Sequence, residues 1–158
     1  KEVLSSLSAH LKAEDTGRRL QGLWALHRSQ NLNEDKLISL LGDKDEHLRI
    51  WALKLLVDEG KTSRQAARKI LDVAAKENSP LVRLHLASIM RNLSDSERWK
   101  MAETLSRSSD LAKDPVYPLM VWYGIEQQVK NEPARALQLA KNSKLETIRE
   151  WIPRRLAE

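Results

Sequence analysis

Four arginine residues, each at the start of an apolar segment, recur along this chain at long and regular intervals. Arg19, Arg49, Arg83 and Arg149 begin the segments RLQGLWAL, RIWALKLL, RLHLASIM and REWIPRRL. The first two steps are similar in length, and the third is about twice as long, which leaves room for one more repeat. That repeat is PVYPLMVWYGI, where Pro118 takes the arginine position and makes all four steps similar. A period of roughly 30–35 residues within a helical sequence indicates stacked helical hairpins, which usually bind or space other proteins.

The sequence between these arginines is typical of short amphipathic helices joined by tight loops. Asn33, Ser63 and Ser143 are predicted helix N-caps, and Gly42 is a predicted C-terminal stop. Ten helical segments can be counted, the first over residues 2–12. We therefore expect an all-α fold, a right-handed α-solenoid of about five antiparallel helical hairpins, with residues 1–158 forming a single domain. The chain starts at Lys1 without an initiator Met, so we interpret it as a domain of a longer multidomain protein.

Composition narrows the classes of function. The 27 basic and 22 acidic residues give a formal charge of +5, but they are interleaved, which is typical of solvated helix faces and argues against nucleic-acid binding. The sequence has no cysteine, which excludes disulfides, thiolate zinc sites and haem-attachment motifs within it. No apolar stretch approaches the ~18 residues of a membrane span.

Aligning the second helix of each pair on its arginine, taken as position zero, separates buried from exposed positions. Positions −1, +3, +4, +6 and +7 are mostly apolar, and the width of this apolar face suits a helix that touches its partner and both neighbouring repeats. We expect Leu53, Leu86 and Ile125 to lie in the core. Positions +2, +5 and +9 form the remaining face, here called the stripe, which would line the concave side of a solenoid.

The stripe gathers large aromatic side chains and is the expected contact surface for a protein partner. Its candidate binding residues are Trp24, Trp51, Lys54, His85 and Tyr123. Aromatic side chains on a partly exposed surface are typical interface anchors. A second interpretation stays open for the stripe tryptophans, including Trp151: they could instead fold over the gaps between repeats and cap the core.

No catalytic or metal-binding constellation stands out in the sequence. No two of the four histidines stand at i,i+4 spacing, and the five glycines are isolated, so neither a zinc pair nor a phosphate-binding loop is indicated. No nucleophile motif is present either. We therefore expect a chain that is not an enzyme and holds no catalytic residue, metal or cofactor.

Two segments, DKDEHLRIWALKLL and NSPLVRLHLASIM, resemble HEAT repeats, in which an Asp- or Pro-led turn precedes a Val/Leu-Arg pair and a Leu/Ala-rich helix. The resemblance implies a ladder of hydrogen bonds between repeats. The residues implied are the turn acids and helix arginines Asp15, Asp45, Arg19, Arg49 and Arg83. Pro118 would interrupt this ladder.

The C-terminal stretch DPVYPLMVWYGIEQQVKNEPARALQLAKNSKLETIREWIPRRL is similar to the HEAT region of large secreted bacterial proteins of Planctomycetes, Verrucomicrobia and Bacteroidetes. In that family a sugar-dehydrogenase-like β-propeller precedes the repeats, and a c-type cytochrome domain with a Cys-x-x-Cys-His motif follows them. The resemblance implies a non-catalytic spacer that contacts neighbouring domains of one periplasmic or secreted polypeptide, with haem c only in the parent protein.

A DNA-binding solenoid similar to HEAT-like DNA glycosylases is the alternative. The basic pI of about 9.6 and stripe cations such as Arg28, Lys54 and Arg154 favour it. Asp58 and Glu158 lie on the same stripe, and phosphate binding needs several uncompensated cations, so the stripe's near-neutral charge argues against it.

Overall fold

The computed structural model describes residues 9–11, 13–58, 60 and 62–158. Within those ranges the chain is all-helical and contains no β-strand. The expected first helix, over residues 2–12, falls almost entirely outside the described residues. The α-helices are α1 (Thr16–Arg28), α2 (Glu34–Leu40), α3 (Glu46–Val57), α4 (Arg64–Ala74), α5 (Pro80–Ser88), α6 (Asp95–Leu105), α7 (Tyr117–Ile125), α8 (Pro133–Asn142) and α9 (Glu146–Ala157). Short 3₁₀ turns follow α5 at Met90–Asn92 and α7 at Glu126–Gln128.

The helices pack in pairs, and the odd-numbered helices form a continuous row. Helix α2 packs against α3, α4 against α5, α6 against α7, and α8 against α9. Helix α1 also contacts α3, and the odd-numbered row continues through α5 and α7 to α9. Among the even-numbered helices, α2 contacts α4 and α4 contacts α6. Each pair therefore touches the pair before it and the pair after it.

Side-chain caps begin most of these helices where the sequence indicates a start. The Asn33 side chain accepts a hydrogen bond from the Lys36 amide at 3.0 Å, and the Ser63 hydroxyl accepts one from Ala66 at 3.0 Å. The prediction for Ser143 was wrong, because the N-cap of α9 is Leu145. Ser143 instead accepts a hydrogen bond from the Leu145 amide, so it gives the N-cap residue's own N–H group a partner.

The core follows the arginine register. Leu53, Leu86 and Ile125 are fully buried, which confirms their predicted place. In the repeat that begins at Arg83, positions −1, +3 and +4 in α5 and positions +6 and +7 just beyond its end are all buried. In α3 the leucines at +6 and +7, Leu55 and Leu56, are half-buried. Leu55 and Leu56 pack against a smaller cluster built from α1 and α2. The apolar face is thus wide because the inner odd-numbered helices α3, α5 and α7 each contact at least three other helices.

Arginine–carboxylate bonds join successive helix pairs. The Arg19 guanidinium donates to the Asp43 carboxylate, with Nη1 to Oδ1 at 3.0 Å. Arg49 donates from Nε and Nη2 to Glu77 at 2.8 and 2.9 Å, and its Nη1 donates to the Asp43 carbonyl. These two-bond contacts fix both distance and orientation between neighbouring pairs.

The acids that the arginines contact differ from those that the resemblance implied. Asp15 caps α1 by accepting from the Arg18 amide, and Asp45 caps α3 while accepting from the Thr16 hydroxyl. Asp45 therefore does link two pairs, but through Thr16. The arginines instead contact acids that precede the next register position by six places: Asp43 before Arg49, and Glu77 before Arg83.

The ladder changes at Arg83 on α5. The Arg83 side chain is nearly buried and donates to the Leu105 carbonyl and the Tyr117 hydroxyl, each at 3.4 Å, with Asp110 3.7 Å away. The Tyr117 hydroxyl in turn donates to the Leu105 carbonyl at 2.8 Å. At the next register position Pro118 has no guanidinium, so the ladder is interrupted there as predicted.

Candidate binding surface on the odd-numbered helices

A pair of tryptophans joins the first two odd-numbered helices. Trp24 on α1 and Trp51 on α3 meet edge to face, with ring centroids 5.0 Å apart and an interplanar angle of 74°. Both residues fall on the predicted stripe, Trp24 at position +5 and Trp51 at position +2 of the following repeat. Edge-to-face packing places the positive edge of one ring against the negative face of the other, which holds both rings in place.

Lys54 and His85 extend this pair towards helix α5. The Lys54 ammonium lies 5.0 Å from the centroid of the Trp51 ring, close enough for a cation–π contact. Burial, together with the nearby Lys54 charge, lowers the pKa of His85. His85 is therefore neutral at pH 7 and presents a hydrogen-bonding ring beside a fixed positive charge.

A cleft of about 340 Å³ opens between α3 and α5 next to these residues. Its lining includes Trp51 and Lys54 from α3, Asp58 just after α3, and Ser88 from α5. Tyr123 does not line this cleft. It lies on α7 with 46% of its surface exposed, separated from α3 by the whole of α5. The structure thus brings Trp24, Trp51, Lys54 and His85 together and leaves Tyr123 farther along the row.

A second tryptophan pair lies at the other end of the row. Trp122 on α7 and Trp151 on α9 meet edge to face at 5.6 Å. They line a cleft of about 190 Å³ together with Arg154, Arg155 and Glu158. Trp122 occupies the buried +4 position, so sequence reasoning assigned it to packing and missed its contact with a stripe residue.

The two interpretations of the stripe tryptophans apply to different residues. Trp51 packs against the smaller core cluster, and Trp151 packs against the main core, so both cover gaps between helix pairs. Trp24 remains 40% exposed although its ring touches Trp51. Trp24 is therefore the tryptophan whose surface is open to a partner.

Exposure divides the stripe by position. At position +5 every side chain is exposed, whereas at position +2 the side chains are half-buried except for the exposed Gln21. The side chains at position +5 are those of Trp24, Lys54, Ser88, Tyr123 and Arg154. At +9, the Asn92 side chain donates to the Val57 carbonyl at 3.2 Å. Its amide therefore links the turn after α5 to the end of α3 in the preceding pair. The exposed part of the stripe is consequently narrower than predicted and centres on position +5.

In the described ranges there is no cluster of three or more His, Asp or Glu side chains placed to hold a metal ion. None of the helices described combines the length and apolar content needed to cross a bilayer. No protein-family model, curated protein or solved structure matches the chain. The arrangement of its own side chains is therefore the basis for a functional proposal.

Proposed function

We propose that this chain is a non-catalytic protein-binding scaffold, a right-handed α-solenoid of about five helical hairpins related to HEAT repeats. The continuous contacts along the odd-numbered row, from α1 to α9, support a stacked arrangement. The repeated guanidinium–carboxylate bonds at Arg19 and Arg49 support a constant geometry between neighbouring pairs. In a stack of this kind the row of second helices lines one face, so a partner can touch several repeats at once.

The exposure of Trp24 is the observation that carries this proposal. A tryptophan ring that is fixed by an edge contact and yet 40% exposed loses little conformational freedom when it is covered. Rigid aromatic anchors of this type dominate the energetics of many protein interfaces. Tyr123, at the same register position two repeats beyond Lys54, offers a second anchor, and the cleft beside Lys54 offers a place for a polar group of the partner.

The proposed spacer role rests on the resemblance of the C-terminal stretch from Asp114 to Leu156, which implies such repeats between a sugar-dehydrogenase-like propeller and a c-type cytochrome domain of a periplasmic or secreted protein. In that setting the stripe would bind a neighbouring domain of the same polypeptide, and tethering would raise the domain's effective concentration. The gene provides the test. A downstream Cys-x-x-Cys-His motif supports this setting, and a parent gene without one contradicts it.

Site-specific photo-crosslinking tests the binding surface. A benzophenone amino acid is placed at Trp24 or at Tyr123 in the protein expressed in its source cells. The matched control carries the same group at Leu137, an exposed apolar residue on the even-numbered helix α8 that is 50% accessible. Crosslinked products are then identified by mass spectrometry.

We expect positions 24 and 123 to capture the same protein, and position 137 to yield no enrichment of it. An excess of the unaltered protein without benzophenone should compete for the partner and abolish the crosslinks. The same excess of the Trp24→Ala variant should not abolish them. Equal capture from position 137 would move the binding surface off the stripe. Crosslinks to nucleic acid, with binding to duplex DNA that falls steeply with salt, would instead establish the DNA-binding alternative.

A further inference from the structure

Helix α4 and the turn that follows it carry an exposed face with an excess of positive charge. Arg64, Arg68 and Lys69 on the helix and Lys76 just beyond its end are all exposed, and Asp72 is the acidic residue among them. A spacing of four places Arg64, Arg68 and Asp72 on one side of the helix, with Lys69 beside them. This face lies on the even-numbered row and shares no residue with the stripe.

Two clefts run along this face and meet at its centre. One, of about 500 Å³, is lined by residues that include Leu41, Val73 and Lys76, and the other, of about 540 Å³, includes Ile38 and Arg68. Lys69 and Asp72 line both clefts, so the two form one elongated groove between α2 and α4. One wall of the groove is basic, and its floor is partly apolar.

Two arginines elsewhere on the even-numbered row have acidic partners. Arg135 on α8 lies 3.3 Å from Glu103 on α6, and Arg98 lies 3.7 Å from Asp95. The acids of α2 form no ion pair with the basic side chains of α4. Glu34 accepts from the Ser63 hydroxyl and Asp35 accepts from the Gln65 amide, both at the start of α4.

Within the described residues, Arg68, Lys69 and Lys76 form no ion pair. The carboxylate closest in sequence to Lys76, that of Glu77, is already held by two hydrogen bonds from Arg49. Several like charges beside an apolar groove repel one another, and an acidic ligand relieves that repulsion while covering the apolar floor.

We propose that the α2–α4 groove is a second binding surface, which takes an acidic amphipathic segment of a protein. Carboxylates of the segment pair with Arg68, Lys69 and Lys76, and its apolar side chains cover Ile38 and Val73. Nucleic acid fits the groove less well, because Asp72 would face a phosphate and the apolar floor would face a charged backbone. This surface is independent of the proposed function of the stripe.

A designed peptide serves as the probe. It is about 15 residues long, near the length at which an isolated helix can form in water. Leu is placed at helical i,i+3/i+4 spacing and Glu at the other positions, and a fluorophore allows anisotropy measurements. We compare the protein with the double variant Lys69→Glu/Lys76→Glu. The matched control, Lys130→Glu/Lys141→Glu, changes the net charge equally at two exposed lysines outside the groove.

The peptide should bind the protein at low salt, and the groove variant should bind it at least about tenfold more weakly, from two lost ion pairs and two new repulsions. The control variant should lose no more than about twofold. A peptide with Lys in place of Glu should bind the groove variant better than it binds the unaltered protein. Trp24→Ala should leave binding of the Glu peptide unchanged, which separates this surface from the stripe.

Three results would overturn the proposal. The Glu peptide could fail to bind at about 20 mM salt, where the Debye length is about 20 Å and charge attraction is strong. The control variant could lose as much affinity as the groove variant, which would assign binding to net charge alone. A short DNA duplex of matched length could bind the groove more tightly than the peptide, which would assign the surface to phosphate.

Discussion

Replacing Gly124 with Ala should destabilise the protein although alanine is the better helix former. Gly124 lies inside α7, next to the candidate binding residue Tyr123. A Cβ atom at this position would lie 2.6 Å from Met90 Cε, 2.8 Å from Met90 Sδ and 2.9 Å from Met90 Cβ. Real carbon contacts are about 3.5–4.0 Å, and Met90 is fully buried, so it has no open space to move into.

The size of the effect follows from two opposing terms. Overpacking a core costs about 1–3 kcal/mol, and the Met90 Cβ, which is attached directly to the backbone, places this site in the upper half of that range. The helix propensity of Ala over Gly offsets about 1 kcal/mol. We therefore expect Gly124→Ala to lower the free energy of unfolding by about 1–2 kcal/mol.

A double-mutant cycle with Met90→Ala tests the cause. Met90→Ala alone should cost about 2–5 kcal/mol because it leaves a cavity. It also removes the two closest contacts, those with Met90 Cε and Sδ, and frees room for the α7 backbone to shift. Ala at position 90 keeps the Cβ contact at 2.9 Å, so in that background Gly124→Ala should become less destabilising without losing its whole cost, with a coupling above about 0.5 kcal/mol.

Urea denaturation followed by far-ultraviolet circular dichroism gives the four free energies of the cycle. Gly42→Ala is the matched control, since its added Cβ would meet nothing closer than the Ser39 carbonyl at 3.7 Å. It should be neutral or stabilising by about 0.4–1 kcal/mol, and additive with Met90→Ala. If Gly124→Ala is equally stabilising, or if the cycle is additive within about 0.5 kcal/mol, the close approach of α7 to Met90 does not constrain the fold.

Three further predictions concern the core, the ladder and the stripe. Leu86→Ala should cost about 2–5 kcal/mol by urea denaturation because Leu86 is fully buried, and a loss under about 0.5 kcal/mol would refute the arginine register. Burial raises the pKa of Glu77, but the hydrogen bonds from Arg49 and from nearby amides outweigh burial and lower it overall. Its contribution to stability should therefore be complete above the unfolded-state pKa of about 4.3, and disappear as the pH falls through the lower folded-state value. Glu77→Gln should reduce stability at pH 7 and flatten the acid limb of a pH titration of unfolding. Trp24→Ala should cost only about 1–2 kcal/mol, against about 3–5 kcal/mol for a buried tryptophan; a larger loss would mean that Trp24 serves the core rather than a partner.

The core could be predicted because burial depends on periodicity. Once the arginines set position zero, the apolar residues Leu53, Leu86 and Ile125 fall on the face that packs against other helices, and each is fully buried. Helix starts such as Asn33 and Ser63 were equally predictable, because a cap satisfies amides only a few residues away. Both signals are local or strictly repeated, so they can be read from the chain without knowledge of the packing.

The partners of the arginines were not predictable in the same way. An acid shortly before each arginine, as at Asp15 and Asp45, suggests a contact, but those carboxylates are used to cap their own helices. The guanidinium of one pair reaches forward to Asp43 or Glu77 in the following turn. Which acid it meets depends on the offset between neighbouring pairs, and the sequence of one repeat does not contain that offset. The positive face of α4 was missed for a related reason. The sequence shows basic and acidic residues interleaved along the chain, but it does not show which basic side chains lack an acidic partner in the folded protein.

Contacts with neighbouring helices also narrow the candidate site. The +2 side chains Trp51 and Trp151 pack against the core and against a tryptophan of the preceding odd-numbered helix. The +5 side chains Trp24 and Tyr123 stay exposed. Three steps along the odd-numbered row separate α1 from α7. At about 8–10 Å for each helix–helix step, Trp24 and Tyr123 lie about 25–30 Å apart. A partner that covers both must present about eight residues of extended chain or a helix of about 18 residues. Crosslinks from positions 24 and 123 should therefore map at that separation on one partner, and crosslinks that converge on a single residue would show that the two aromatic side chains do not form one surface.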